Sequence, residues 1–158
     1  MELILWRHAE AAPGDPDSAR PLTPHGHRQA QAMAKFLDPR LPMDVRVIAS
    51  PARRTQETAS ALGRAAETVE AIAPGCDVPT LLAAAGWPES PRVVLVVGHQ
   101  PTLGEVAARL VDGRPGSWPL GTGSVCWLES RTRKGRSEAA VLASIEAELL
   151  MRGVRPQF

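Results

Sequence analysis

The segment Leu3-Ile4-Leu5-Trp6-Arg7-His8 is an apolar run that ends directly in two basic side chains. A continuous apolar run of this length predicts a β-strand buried on both faces, as in a parallel sheet. Two further runs, at 45–49 and 93–97, are mostly apolar and rich in β-branched residues. A turn and then a helical pattern follow each run. The sequence therefore predicts strands and helices that alternate around a mostly parallel sheet.

Helical periodicity and helix-start signals fix the segments between these strands. Residues 24–37 and 101–111 place their apolar side chains on one helical face. The pairs Thr23-Pro24, Ser50-Pro51 and Gln100-Pro101 each put proline where a first helical residue is expected. In the first two pairs, the hydroxyl residue is also predicted to cap the helix. We therefore expect one helix after each pair.

The rest of the chain completes an α/β pattern. A helix is predicted at 77–86, capped by Asp77, and two strands at 124–129 and 139–145 are predicted to form a hairpin. The predicted fold class is α/β, a three-layer α/β/α sandwich with a mostly parallel central sheet. A chain of 158 residues fits one domain, predicted to span 1–158.

Composition excludes several classes of partner. The net charge of +1 gives no general attraction to nucleic acid or to a membrane surface, and neither partner is expected. No run approaches the roughly 18 apolar residues that a membrane span requires. The two cysteines, Cys76 and Cys126, are far apart in the sequence and are expected to be reduced thiols, and the sequence does not assign them a role. We expect a cytoplasmic monomer.

Basic side chains follow three of the predicted strands. Arg7 and His8 end the first, Arg54 lies five residues beyond the second, and His99 follows the third. Ligands of open α/β sheets bind outside the carboxyl ends of the strands, so these side chains are expected to meet there. Arginine forks match phosphate oxygens, and a neutral imidazole can attack phosphorus. The pattern predicts a phosphate site that needs no metal and no organic cofactor.

Four segments, in this order, resemble the motifs of the histidine phosphatase superfamily, which includes phosphoglycerate mutases and acid phosphatases. They are Arg7-His8-Ala9-Glu10, residues 22–30, residues 50–58 and Gly98-His99-Gln100-Pro101. The short length, residues 20–23 and the spacing His99-x-Pro101-x-x-Gly104 are most similar to the SixA-type phosphohistidine phosphatases. The resemblance implies a phosphoglycerate mutase-like fold over most of the chain.

The resemblance also implies the roles of individual residues. His8 would be the nucleophile that becomes phosphorylated, and Arg7, Arg54 and His99 would form the rest of the catalytic phosphate pocket. Arg20 would line the entrance and contact substrate. The implied activity is hydrolysis of phosphohistidine on a protein, through a phospho-His8 intermediate.

Larger members of the superfamily carry a glutamate that protonates an alcohol leaving group. The matching stretch here, 69–74, has alanine at that position, and Glu70 lies one residue away on an expected strand. An alkoxide must be protonated as it departs, whereas phosphohistidine can leave as an imidazole that already carries its ring proton. The absence of this glutamate therefore favours a phosphohistidine substrate. Whether an acid assists stays open, the candidates being Glu10, Asp15, Asp17 and Glu70.

Two other functions remain open at this stage. One is a phosphomonoesterase for a small phosphorylated metabolite, and the other is a regulatory phosphate-binding module without catalysis. A phosphate pocket does not reveal what the phosphate is attached to. The partner is accordingly a phosphorylated protein, such as a phosphorelay domain, or a small phosphorylated molecule.

Overall fold

A mixed sheet forms the centre of the computed structural model, which describes residues 1–152. Within these residues the sheet has six strands: β1 (Glu2–Arg7), β2 (Arg46–Ala49), β3 (Ala66–Thr68), β4 (Val94–Gly98), β5 (Val125–Arg133) and β6 (Arg136–Ile145). Their spatial order is β3-β2-β4-β1-β5-β6. The first four strands are parallel to one another, and β5 runs antiparallel to both β1 and β6. The predicted hairpin of β5 and β6 is confirmed.

Helices cover both faces of this sheet. They are α1 (Pro24–Leu37), α2 (Arg53–Ser60), α3 (Val78–Ala85), α4 (Thr102–Asp112) and α5 (Ala147–Met151). Side chains of α1, α2 and α5 pack into one core cluster, and those of α3 and α4 pack into another. The three-layer α/β/α sandwich is therefore confirmed. None of the helices within residues 1–152 is long and apolar enough to cross a membrane.

Strand β1 shows why the apolar runs determine the fold. Ile4 and Trp6 enter the core cluster on one face of the sheet, and Leu3 and Leu5 enter the cluster on the other. All four side chains are fully buried. Burial of each such side chain contributes roughly 1.5–3 kcal/mol, so a strand between two layers must be apolar on both faces. The functional residues lie just beyond the last buried position.

Two helix caps follow the sequence prediction. The Oγ1 atom of Thr23 accepts a hydrogen bond from the Gly26 amide at 2.9 Å, and Pro24 is the first residue of α1. Asp77 likewise accepts a hydrogen bond from the Thr80 amide at the start of α3. These local bonds satisfy amides that have no partner inside the helix.

Two other predicted helix starts are wrong by one or more residues. Helix α2 begins at Arg53 with Ala52 as its N-cap, so Ser50 does not cap it. Helix α4 begins one residue after Pro101, which is itself the N-cap. The hydroxyl of Ser50 is engaged elsewhere, by His99, at 2.7 Å. A tertiary contact has thus replaced the local cap.

The third strand is also displaced from its expected position. Strand β3 ends at Thr68, and Glu70–Ile72 forms a 3₁₀ turn, so Glu70 lies on this turn and not on a strand. The side chains of β3 are exposed and polar or small, which leaves no apolar run to reveal it. The predicted domain, 1–158, extends over residues 153–158, which lie outside the described residues.

Candidate active site

The carboxyl ends of the parallel strands bring the predicted site residues together. The His8 amide donates a hydrogen bond to the Gly98 carbonyl at 3.1 Å, which continues the pairing of β1 with β4. The Ser50 amide donates to the Val97 carbonyl in the same way, beyond the end of β2. The rings of His8 and His99 consequently lie with their centroids 5.4 Å apart.

One hydrogen bond determines the tautomer of His8. Its Nδ1 atom lies 2.8 Å from the carbonyl oxygen of Ala9. A carbonyl can only accept, so Nδ1 carries the proton and Nε2 carries the lone pair. Burial, together with the nearby Arg54 and Arg7 cations, lowers the pKa of His8 to about 4, although its bond to Ala9 acts in the opposite direction. The ring is therefore neutral at neutral pH, with a lone pair available for attack.

Each of the two pocket arginines is held at one end of its guanidinium. The Nη1 atom of Arg7 donates to the Leu120 carbonyl at 2.7 Å. The Nη1 and Nη2 atoms of Arg54 donate to the backbone oxygen and the Oδ2 atom of Asp17, at 3.0 and 3.1 Å. Arg54 is only 5% exposed, and burial lowers the pKa of Arg7. The arrangement fixes both guanidinium groups and leaves the Nε–H of each without a partner among the described residues.

His99 is held by a hydroxyl. Its Nε2 atom lies 2.7 Å from Ser50 Oγ, which accepts a hydrogen bond from the Ala52 amide. The hydroxyl hydrogen of Ser50 is thus free to bond to Nε2, which leaves Nδ1–H of His99 as a donor. Burial and then the charge on Arg54 lower the pKa of His99 to about 3, so the unliganded ring is neutral.

Three buried side-chain nitrogens lack a hydrogen-bond partner within residues 1–152: Arg7 Nε, Arg54 Nε and His99 Nδ1. All three belong to side chains that the sequence assigns to the phosphate pocket. Leaving a buried donor unsatisfied costs roughly 1–3 kcal/mol, and more for a charged group. A tetrahedral oxyanion supplies several acceptor oxygens at once. These donors fit such a ligand beside the lone pair of His8.

Sequence reasoning missed the role of Thr58. This fully buried side chain accepts a hydrogen bond from the Ala9 amide at 2.9 Å and donates one to the Arg54 carbonyl at 2.7 Å. It therefore ties the segment that orients His8 to the helix that carries Arg54. Its spacing from Arg54, one helical turn, was the available sequence signal.

The segment 120–124 was also missed, because it acts through its backbone. Gly123 donates to the His8 carbonyl at 3.0 Å and accepts from the indole of Trp6. Ser124 accepts from the Arg7 amide. Backbone contacts of this kind leave no pattern of side-chain types, so no sequence signal could have indicated them.

The predicted rim residue Arg20 lies beside Asp17. Its Nη1 atom donates to Asp17 Oδ1 at 3.0 Å, and its Nε atom donates to the Ala12 carbonyl at 2.8 Å. The bond from Arg20, together with the charge and bond of Arg54, holds the pKa of Asp17 below its usual range. Asp17 is therefore ionised at neutral pH and is a poor proton donor.

The remaining candidate acids differ in their surroundings. Glu10 accepts a hydrogen bond from Thr23 Oγ1 at 2.8 Å. Asp15 and Glu70 are exposed, and their side chains make no hydrogen bond within residues 1–152. No group of three His, Cys, Asp or Glu side chains in this part of the chain is arranged to hold a metal ion.

The two cysteines are not joined to each other. Cys126 is buried in the core on β5, where burial raises the pKa of its thiol to about 11. Cys76 is half-buried, and burial raises its thiol pKa as well. Raised values make both thiols weak nucleophiles at neutral pH.

Comparison with known proteins agrees with this geometry. Residues 3–89 match the family model of the histidine phosphatase superfamily (branch 1). The phosphohistidine phosphatase SixA of Escherichia coli (strain K12) is 32% identical over 122 residues, which cover 72% of this chain and 76% of that protein. The chain therefore belongs to the histidine phosphatase superfamily, and the resemblance to its SixA-type members is confirmed.

Two solved structures share the whole fold. One, described as a phosphohistidine phosphatase SixA from Nakamurella multipartitia, is 29% identical with a TM-score of 0.77, and the match covers 92% of this chain and 95% of that one. The other is the protein histidine phosphatase SixA complexed with tungstate, 26% identical with a TM-score of 0.73. That match covers 95% of this chain and 99% of that one.

The depressed pKa of His99 predicts how stability changes with pH. Its folded-state pKa, about 3, lies below the ordinary value of 6.5, so the unfolded chain binds more protons in between. The contribution of His99 to the free energy of unfolding is therefore highest above pH 6.5, where His99 is neutral in both states, and it decreases as the pH falls below 6.5. We expect His99→Gln to lose about 1.5 kcal/mol less unfolding free energy than wild type between pH 6.5 and about pH 5. Urea unfolding in phosphate-free buffer measures this difference, and an equal loss in both proteins would contradict it.

The bridging hydroxyl of Thr58 predicts a positioning role. Thr58→Val keeps the side-chain volume but leaves the Ala9 amide without an acceptor, so the orientation of His8 is lost. We expect kcat on p-nitrophenyl phosphate to fall roughly tenfold or more, with a smaller change in KM. Thr58→Ser keeps the hydroxyl and should restore kcat. A loss that serine does not rescue would show that packing, not the hydrogen bond, is what Thr58 supplies.

Proposed function

We propose that this protein is a phosphohistidine phosphatase, which hydrolyses phosphohistidine on a protein through a phospho-His8 intermediate. The observation that carries the proposal is the set of three buried donors around one neutral histidine that have no partner in the described part of the chain, residues 1–152. Arg7 Nε, Arg54 Nε and His99 Nδ1 would bind the phosphoryl oxygens. His8 Nε2 would then be the attacking atom. Its superfamily together with its SixA relative supports a phosphatase, and hence a hydrolase.

In the first step, His8 Nε2 attacks phosphorus and the phosphorus–nitrogen bond of the substrate breaks. The electron pair of that bond stays on the departing nitrogen. A substrate ring that is protonated at its other nitrogen leaves as neutral imidazole, so no acid is needed at the departing atom. The positive charge passes to the His8 ring, whose Nδ1–H is already bonded to the Ala9 carbonyl.

In the second step, water attacks the phosphorus of phospho-His8. The bond to Nε2 breaks and Nε2 regains its lone pair, while one proton of the water stays on the attacking oxygen and the other passes to a second phosphate oxygen. Because Nδ1–H remains bonded to Ala9, His8 departs as a neutral imidazole. The hydrogen bond that orients His8 as the nucleophile therefore also makes it a good leaving group.

The surroundings of the pocket support phosphohistidine over phosphate esters. An ester needs a proton donor beside the leaving oxygen, and Asp17, the carboxylate bonded to a pocket arginine, is ionised at neutral pH. The SixA relative from E. coli is a phosphohistidine phosphatase by name. We propose that the partner is a phosphorylated protein and that the enzyme works without metal, as a cytoplasmic monomer of one domain.

Phosphate release tests this function most simply. Wild type, in buffer with EDTA, is given a phosphohistidine protein or p-nitrophenyl phosphate. We expect fast release from phosphohistidine and slow release from the ester. His8→Ala should reduce release from phosphohistidine roughly a thousandfold or more, because the nucleophile is lost.

His27→Ala is the matched control, since His27 is an exposed histidine on α1 and should leave the rate unchanged. Equal turnover of the ester by wild type would favour the small-metabolite phosphomonoesterase, with an acid such as Glu10 assisting. The absence of His8-dependent release from either substrate would leave a phosphate-binding module without catalysis.

A further inference from the structure

Asp17 joins the buried pocket to its exposed rim. Its carboxylate accepts from Arg54 Nη2 at 3.1 Å through Oδ2 and from Arg20 Nη1 at 3.0 Å through Oδ1. The side chain of Arg54 is 6% exposed, whereas that of Asp17 is 59% exposed. Asp17 therefore lies on the solvent side of the pocket arginine, held from both sides by cations.

The two edges of the Arg54 guanidinium face different groups. Its Nε–H is buried and has no partner within residues 1–152, so a phosphoryl oxygen would bind there, and its Nη2 is bonded to Asp17. A carboxylate and a bound phosphoryl group would thus lie on one guanidinium, separated by about its own width. The imidazole ring of phosphohistidine spans a similar width between its two nitrogens. A phosphohistidine carried on a protein must approach the pocket from solvent, and the exposed Asp17 lies on that side of Arg54.

We propose that the Asp17 carboxylate accepts a hydrogen bond from the free ring N–H of phosphohistidine and thereby selects an imidazole leaving group. This inference rests on the proposed function and names the residue that provides its specificity. Asp17 is a specificity residue in this scheme and not a proton donor. It favours the ring-protonated substrate, which is the form that departs as neutral imidazole.

The bonding capacity of Asp17 allows this role. Each carboxylate oxygen has two lone pairs, and each makes one side-chain hydrogen bond within residues 1–152, so each retains an acceptor position. The ionised state that Arg20 and Arg54 impose on Asp17 suits an acceptor. A hydrogen bond between ionic groups is about twice as strong as a neutral one.

The same carboxylate gives no advantage to an ester. The leaving oxygen of a phosphate ester carries no N–H and develops negative charge as it departs, so a nearby anion does not stabilise it. Asp17 also competes with phosphate for Arg54, whichever group the phosphate is attached to. Removal of the charge should therefore harm phosphohistidine hydrolysis selectively.

The test compares two substrates on Asp17→Asn, which keeps the shape of the side chain and removes its charge. One substrate is a peptide with a single phosphohistidine, and the other is p-nitrophenyl phosphate. We expect the ratio of kcat/KM for the peptide to kcat/KM for the ester to fall tenfold or more. The pH above which peptide hydrolysis declines should also fall, because the protonated substrate ring is no longer favoured.

Asp44→Asn is the matched control, because Asp44 is an exposed aspartate ahead of β2, at the amino end of the parallel strands and opposite to the pocket. In Asp44→Asn, the ratio of kcat/KM for the peptide to kcat/KM for the ester should equal that of wild type. If Asp17→Asn lowered kcat/KM by the same factor for both substrates, Asp17 would only position Arg54, and the inference would be overturned. An unchanged or higher ratio would overturn it too. Failure of the proposed function looks different, since wild type itself would then not hydrolyse the peptide, and the ester rate would show that Asp17→Asn is folded.

Discussion

The desolvation of donors around His8 is the constraint on which the rest of the site depends. Two guanidinium nitrogens and one imidazole nitrogen are buried without an acceptor among residues 1–152, at a cost of roughly 1–3 kcal/mol or more each. An oxyanion in the pocket would accept a hydrogen bond from all three donors at once. Their desolvation cost is met during folding, so these hydrogen bonds would contribute to phosphate binding. The same desolvation keeps the His8 ring neutral and therefore nucleophilic.

Several parts of the fold hold these desolvated donors in place around His8. The parallel pairing of β1 with β4 sets the separation of the two histidines. Thr58 and Ser50 carry fully buried hydroxyls: Thr58 fixes the segment after His8 to α2, and Ser50, ahead of α2, holds the ring of His99. Gly104 contributes at a distance, because a Cβ atom there would clash with the carbonyl of Trp118, which lies in the same loop as Leu120, the acceptor for Arg7.

The sequence predicted those features that depend on local side-chain patterns. The predicted positions of strand β1 and helix α1 agree with the structure, because a run of apolar residues marks the strand and the pair Thr23-Pro24 marks the start of the helix. The four principal pocket residues meet as expected, because strand ends converge at one edge of the sheet. Their catalytic roles remain a prediction.

The features that the sequence did not predict depend on tertiary contacts. Ser50 looked like a helix cap, but a buried imidazole offers its hydroxyl a stronger partner. Glu70 was placed on a strand because β3 has no apolar run to mark its true end. Asp17 appeared only as one acid among four, since its two arginine partners lie 3 and 37 residues away along the chain.

Trapping the phosphorylated enzyme tests the central claim most directly. The protein is mixed with a phosphohistidine peptide, quenched within one turnover in alkali, which preserves phosphohistidine, and digested for mass spectrometry. The account predicts one phosphoryl group on His8, which forms and decays at rates consistent with kcat and is absent from His8→Ala. Steady phosphate release with no phosphoryl group on His8 at any time would contradict it, because water would then attack the substrate directly.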